Sequence, residues 1–378
     1  MTDSSHLQSR RQFLAEHGMG IGAIALAWML KEEQLLATPK NVPKVKPDLD
    51  LKPKQPHFEP QATAMISLFQ HGGPSHMDLT DPKPELTRYN GTDYSGEVKY
   101  SGVAASSRKL LGSPWKFAKR GQCGTELSEL LPHTASIVDD ICLIRSMHTG
   151  SNTHNNNLRY FHGGVPAVTG RPNLGSWLLY GLGSQTQDLP SYMVMTAGGS
   201  PVDGVLNWSH GFIPAVYQAT VLRPKEPRIL NLNVPQHLRG TLQRQNLDLL
   251  RDLNRKHLEK HPESSELKAR IASYELAARM QTSAVEALDI SQETKATQTM
   301  YGLDNEATRE YGERCLIARR LVERGVRFVQ LFHNTQPWDN HSEIFTKLPD
   351  MCRRTDQPVA ALVKDLKQRG MLDKTIVH

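Results

Sequence analysis

Three stretches of this chain concentrate the side chains able to do metal, nucleophilic or acid–base chemistry. The first is Gln70-His71-Gly72-Gly73-Pro74-Ser75-His76-Met77-Asp78-Leu79-Thr80-Asp81-Pro82, with two histidines, two aspartates and a serine around a double glycine. Imidazole and carboxylate together suit a hard or borderline divalent cation. Paired glycines let a backbone turn tightly and approach a ligand closely. The competing reading is a tight turn whose histidines bond to the backbone. The second stretch runs from Arg145-Ser146-Met147-His148-Thr149-Gly150-Ser151-Asn152-Thr153-His154 to Asn157, into a helix through Leu158 to Phe161. Hydroxyls at a helix N-terminus sit where N–H groups and the helix dipole stabilise an anion, a suitable place for a nucleophile or an oxyanion pocket. The same residue types are also ordinary N-caps. The third is Phe332-His333-Asn334-Thr335-Gln336-Pro337-Trp338-Asp339-Asn340-His341. An Asp339/His341 pair two residues apart on a loop can reach one metal or orient its own members. The alternative makes Trp338 a core anchor with polar neighbours.

These stretches matter because of what precedes them. Short apolar runs at Ala64–Phe69, Ile141–Ile144, Tyr192–Met195, Phe328–Phe332 and Thr375–Val377 read as buried strands. They alternate with helical stretches near Glu126–Val138, Pro172–Leu182, Glu306–Arg324 and Thr355–Arg369, the last ended by Gly370. That alternation predicts an α/β fold with a mostly parallel sheet covered by helices. In such a sheet ligands bind beyond the carboxyl ends of the strands, where all three stretches begin. Residues 235–300 break the alternation with a nearly all-helical insertion. Leu267, Ile271, Tyr274 and Ala278 are expected along one face of it.

The chain has 378 residues, 38% hydrophobic and 22% charged, which excludes a polytopic membrane protein and a wholly disordered chain. Lys and Arg exceed Asp and Glu by 45 − 39 = 6, with no long basic block, so nucleic acid is not an expected partner. Four cysteines without a C-x-x-C exclude a disulfide-built scaffold. Ser9-Arg10-Arg11-Gln12-Phe13-Leu14 precedes the uncharged run Gly18–Leu30 of 13 residues. That order resembles a twin-arginine (Tat) export signal, and the run is shorter than the ~20 residues of a spanning helix. No clean cleavage site follows, so retention as an anchor is an open alternative to removal. Six prolines between 39 and 60 mark an extended linker. The expected organisation is signal or anchor at 1–37, linker at 38–60, and one α/β domain at 61–378 containing the insertion.

The ordered motifs L-F-Q-H-G-G-P-S-H-M-D-L-T-D-P-K-P (68–84), R-S-M-H-T-G-S-N-T-H (145–154), R-P-N-L-G-S-W-L-L-Y-G-L-G (171–183), W-D-N-H (338–341) and D-Q-P-V-A-A-L-V-K-D-L-K-Q-R-G-M-L-D (356–373) resemble a large family of uncharacterised Tat-exported bacterial proteins. That family is usually placed near the alkaline phosphatase and sulfatase superfamily. The resemblance covers nearly the whole chain. It implies an alkaline-phosphatase-like core, with metal ligands at strand ends and a nucleophile at a helix N-terminus. Carried onto this sequence, it implies His71, Asp78, Asp339 and His341 as metal ligands, and Thr149 or Ser151 as nucleophile with His154 beside it. The sulfatase C-x-P-x-R or S-x-P-x-R motif is absent, so a formylglycine mechanism is not expected. Family members normally continue past the T-I-V strand into G-E-F-G-R-T-P-like and D-H-H-like motifs. The ending at His378 therefore reads as that of an incomplete domain.

The expectation is an envelope or periplasmic hydrolase of phosphate or sulfate esters, dependent on a divalent ion, with Zn, Ca and Mn not distinguished. Its expected partners are the Tat translocase, a small ester or a sulfated or phosphorylated glycan, and a membrane through a peripheral or N-terminal anchor. The rival is a non-catalytic envelope protein on the same fold that binds polysaccharide or a protein. A third reading is an inactive fragment.

Overall fold

The computed structural model describes residues 51–96, 108–165 and 168–378. The expected export signal and the linker as far as residue 50 lie outside them. The strands are β1 (Ala64–Phe69), β2 (Phe117–Arg120), β3 (Thr125–Ser128), β4 (Tyr192–Met195), β5 (Thr220–Leu222), β6 (Phe328–Phe332) and β7 (Thr375–Val377). The helices are α1 (His76–Leu79), α2 (Pro84–Arg88), α3 (His154–Gly163), α4 (Leu174–Leu182), α5 (Thr241–Lys260), α6 (Ser265–Leu288), α7 (Lys295–Met300), α8 (Glu306–Glu323) and α9 (Ile344–Gln368).

Five strands form one sheet in the order β5-β4-β6-β1-β7, every pair parallel. The ladder runs on past β7, since Leu68 N donates to His378 O at 2.6 Å and His378 N to Ile66 O at 2.9 Å. Alternation along the strands sends Ile66, Leu68, Met193, Met195, Val329 and Leu331 to one core, packed by Leu316, Leu321 and Leu362. Tyr192, Val194, Phe328 and Phe332 face the other core with Leu179, Trp208 and Tyr217. A parallel sheet needs both faces covered, which is why its strands read as short apolar runs.

Four of the five expected strands are present. The fifth is a correction: Ile141–Ile144 is not a strand but an exposed segment after a 3-10 turn at Thr134–Asp140. The run is apolar in composition, yet no neighbouring strand pairs with it, and Ile144 is 62% exposed. The helix expected near Glu126–Val138 is replaced by β3 and that 3-10 turn; β2 and β3 pair antiparallel as a separate hairpin. Strand β5 was not anticipated, being only three residues long. The last helix begins at Ile344, earlier than expected, and carries Pro349 and Pro358 inside it. The insertion is helical as expected, but its buried stripe is Ala269, Met280, Ala284 and Ala287, whereas Tyr274 is 67% exposed. Among the described residues no helix is long and apolar enough to cross a membrane.

Candidate functional site

Because all five strands run the same way, the segments after β1, β6 and β7 emerge at one end of the sheet. The turn after β1 is built around Gly72 at φ +110°, where an added Cβ would come within 2.5 Å of Asp339 N and 3.0 Å of Gln336 O. Only glycine lets the 336–339 loop settle onto this turn. Trp338 N then donates to His71 O at 3.2 Å, and the Trp338 ring anchors among Leu79, Leu348, Met351 and Cys352. The double glycine and the Trp-Asp-Asn-His motif are therefore two halves of one contact.

That contact brings Asp339 between two imidazoles. His154, the first residue of α3, places Nε2 2.9 Å from Asp339 Oδ2, and His341 Nε2 lies 2.8 Å from the same oxygen. One ligand atom from each of His154, Asp339 and His341 lies within 4.8 Å of the others. His341 has a side chain 80% exposed, so this trio opens to solvent. Behind it, His71 is 1% exposed, with its ring edge-on to His154 at 6.4 Å between centroids. Neither ring nitrogen of His71 has a hydrogen-bond partner of good geometry. Burial, then the neighbouring His154, pushes its pKa down to about 4, with the Thr335 main chain opposing in part. His71 thus stays neutral with a lone pair available, the state a metal ligand requires.

Of the seven sequence candidates, the fold joins His154, Asp339 and His341, with His71 adjacent to His154. Asp78 is buried in α1, accepts a 2.6 Å hydrogen bond from Ser75 Oγ and lies outside the trio. Thr149 and Ser151 form a small turn ahead of α3. The Thr149 hydroxyl donates to Asn157 Oδ1, Ser151 N points to Thr149 Oγ1 at 3.4 Å, and Asn157 Nδ2 donates to Ser151 O at 3.2 Å. Thr153 at the N-cap of α3 makes no side-chain cap, which leaves the first-turn N–H groups open.

Two histidines that sequence reasoning did not single out complete the cluster. His333 directly follows β6; its Nε2 pairs with Gln70 Oε1 at 2.9 Å and its ring stacks on Tyr311 at 4.9 Å. His162 is enclosed by Phe69, Phe161 and Phe332, and Gln330 Nε2 lies 3.1 Å from its Nδ1. Burial above all pushes both pKa values down to about 3, and the Arg314 guanidinium adds to it at His333. For His333 the signal was positional, the first residue past a central strand. For His162, inside α3, spacing offered none.

The donor set fits a divalent cation. Two imidazoles and a carboxylate converge on one small region, and the neutral buried imidazole of His71 next to them makes no hydrogen bond of good geometry. Calcium prefers an all-oxygen shell, so the two imidazoles of this set weigh against it. The family model described as "Protein of unknown function (DUF1501)" matches residues 62–378. No curated protein and no solved structure gives a significant match.

Proposed function

The chain belongs to the DUF1501 family, and from that premise we propose that it is an exported, metal-dependent hydrolase of phosphate or sulfate esters on an alkaline-phosphatase-like fold. The observation that carries the reading is the His154–Asp339–His341 trio at the carboxyl end of a parallel sheet, backed by the buried His71, whose ring nitrogens make no hydrogen bond of good geometry. His154, Asp339 and His341 would hold the ion, with His71 placed to join them. Bound there, a divalent cation would supply Lewis-acid stabilisation of charge developing on an ester oxygen.

The chain's own residues supply the rest. Without an ion Asp339 Oδ2 holds the His154 imidazole in place through Nε2; with an ion bound, that nitrogen would give its lone pair to the ion instead. The burial of His71 excludes water from the inner side of the trio. The open first turn of α3, with Thr149 and Ser151 just ahead of it, offers N–H groups to an anionic ester. Thr149 donates its hydroxyl proton to Asn157 Oδ1, so in this reading Asn157 orients the Thr149 hydroxyl beside that open turn. Tat export, with the envelope or periplasm as destination, belongs to the same proposal and rests on the Arg10-Arg11 segment.

The test is turnover of aryl phosphate and aryl sulfate by the chain supplied with zinc or manganese. The expected result is hydrolysis of one ester class that falls by at least ~100-fold in Asp339→Asn. No turnover of either ester with either ion would sink the proposal.

A further inference from the structure

One surface far in sequence from the histidine cluster exposes large aromatics in contact with one another. On α4, Leu174, Trp177 and Tyr180 recur at three-residue intervals on the face away from the sheet, while Leu179 on the inner face is buried. Trp177 is 43% and Phe212, from the loop beside α4, 69% exposed. The Trp177 ring meets Phe212 at 5.8 Å and Tyr180 at 5.7 Å between centroids, both near-perpendicular. Scattered apolar residues are ordinary on a surface, but a contiguous aromatic patch marks a binding face.

The N-terminal segment enters the described structure at the rim of this patch. Ser184 N donates to Leu51 O at 2.6 Å and Lys54 N to Leu182 O at 3.0 Å, fixing residues 51–54 to the C-terminal end of α4. Gly183 makes the close approach, since a Cβ there would lie 1.9 Å from Lys52 O. Lys54 Nζ donates to Tyr180 O at 2.7 Å and sits 5.3 Å over the Tyr180 ring. Upstream of this clamp, residues 31–50 can span at most about 70 Å, and they connect it to the uncharged run Gly18–Leu30.

From the patch and the run that its entry point leads to, we propose that Leu174, Trp177, Tyr180 and Phe212 form a face that docks on a phospholipid bilayer. Trp and Tyr concentrate at the headgroup level because each ring is apolar with one polar edge. A second protein copy would bury the same rings but has no use for an apolar run tethered to the patch edge. The inference does not depend on the ester reading, and a catalytically dead chain would dock equally well.

The experiment uses the whole chain with Trp28→Phe, which silences the tryptophan of the apolar run. Vesicles of phosphatidylcholine and phosphatidylglycerol, plain or brominated near the headgroup, are added, and emission is compared with the same chain carrying Trp177→Phe. The expected result is a blue shift and bromine quenching of the Trp177 component, both lost in Trp177→Phe. Failure to bind vesicles overturns the proposal. So does binding with Trp177 unshifted and unquenched, which would leave the apolar run as the sole contact. A blue shift present before vesicles are added, reporting a second copy or the apolar run on the patch, also overturns it. Phe212→Ser, exposed enough to leave the fold intact, must weaken the quenching without changing circular dichroism.

Discussion

Two regions of this molecule bury ionisable groups, and they treat them in opposite ways. Where α8, α9 and the end of the insertion meet, Arg319 is 1% exposed and lies 2.7 Å from both Glu293 and Glu323 and 2.8 Å from Asp365. Burial works against its charge, and Asp365 and Glu293 more than restore it. Arg320 donates to the carbonyls of Ala287 and Glu286, Tyr301 donates to Asp365, and Arg369 closes the set on Asp365 and Glu323. At the carboxyl end of the sheet, by contrast, His71, His162 and His333 are buried as neutral imidazoles, and both ring nitrogens of His71 and Nε2 of His162 lack a hydrogen bond of good geometry. Arg319 Nε and Nη2 also fall short of good hydrogen-bond geometry, yet each has a carboxylate within 2.8 Å to answer its charge. Among the described residues no carboxylate pairs with His71, and a bound ligand would complete its ring nitrogens.

The comparison can be broken most forcefully at the arginine end. Asp365→Ala strips partners from Arg319, Arg369 and Tyr301 at once, and should cost about 3–5 kcal/mol in urea unfolding at pH 7. A loss below about 1 kcal/mol would show that the network is slack after all.

Acid is expected to attack the other region first. His162 and His333 are neutral when folded, with pKa values pushed down to about 3, and gain a proton near 6.5 when unfolded. Between those values the unfolded chain binds more protons, so stability is full above pH 6.5 and falls as pH falls. The slope is about 1.4 kcal/mol per pH unit for each histidine, or about 2 kcal/mol each by pH 5. Equal unfolding free energies at pH 7 and pH 5 would contradict this.

Smaller effects sharpen the contrast. Gln330→Leu removes the partner of both His162 and the Tyr192 hydroxyl and should cost about 1–3 kcal/mol by the same assay. Asp339→Asn, at a partly exposed carboxylate with an exposed histidine beside it, should change stability by less than about 1 kcal/mol. A large loss there would make Asp339 a structural residue.

How much of this was legible beforehand depends on what each element relies on. β1, β4, β6 and β7 announce themselves because strands covered on both faces must be apolar throughout. Ile141–Ile144 has the same composition, but a strand also needs a neighbour to pair with, which a local run does not encode. The start of α9 lies ahead of Pro349, a residue type that ordinarily interrupts a helix, whereas Pro358 already fell inside the expected one. In the site, Asp339 and His341 were legible as a pair because they share a loop. His154 was read as a helper to a nucleophile, and its approach to Asp339 across 185 positions exists only through Gly72 and the Trp338 anchor. His162 owes its place to the packing of α3 on the sheet, which leaves no mark in the spacing.

The central claim is that the open valences around His71 and the trio belong to a metal ion. The direct measurement is metal content after equilibration with zinc or manganese and removal of free ion, for the chain as it stands, Asp339→Asn, and His76→Ala as an off-site control. The account predicts a single retained ion that is lost in Asp339→Asn and kept in His76→Ala. Absence of bound ion in the unaltered chain, or retention undiminished by Asp339→Asn, would contradict it.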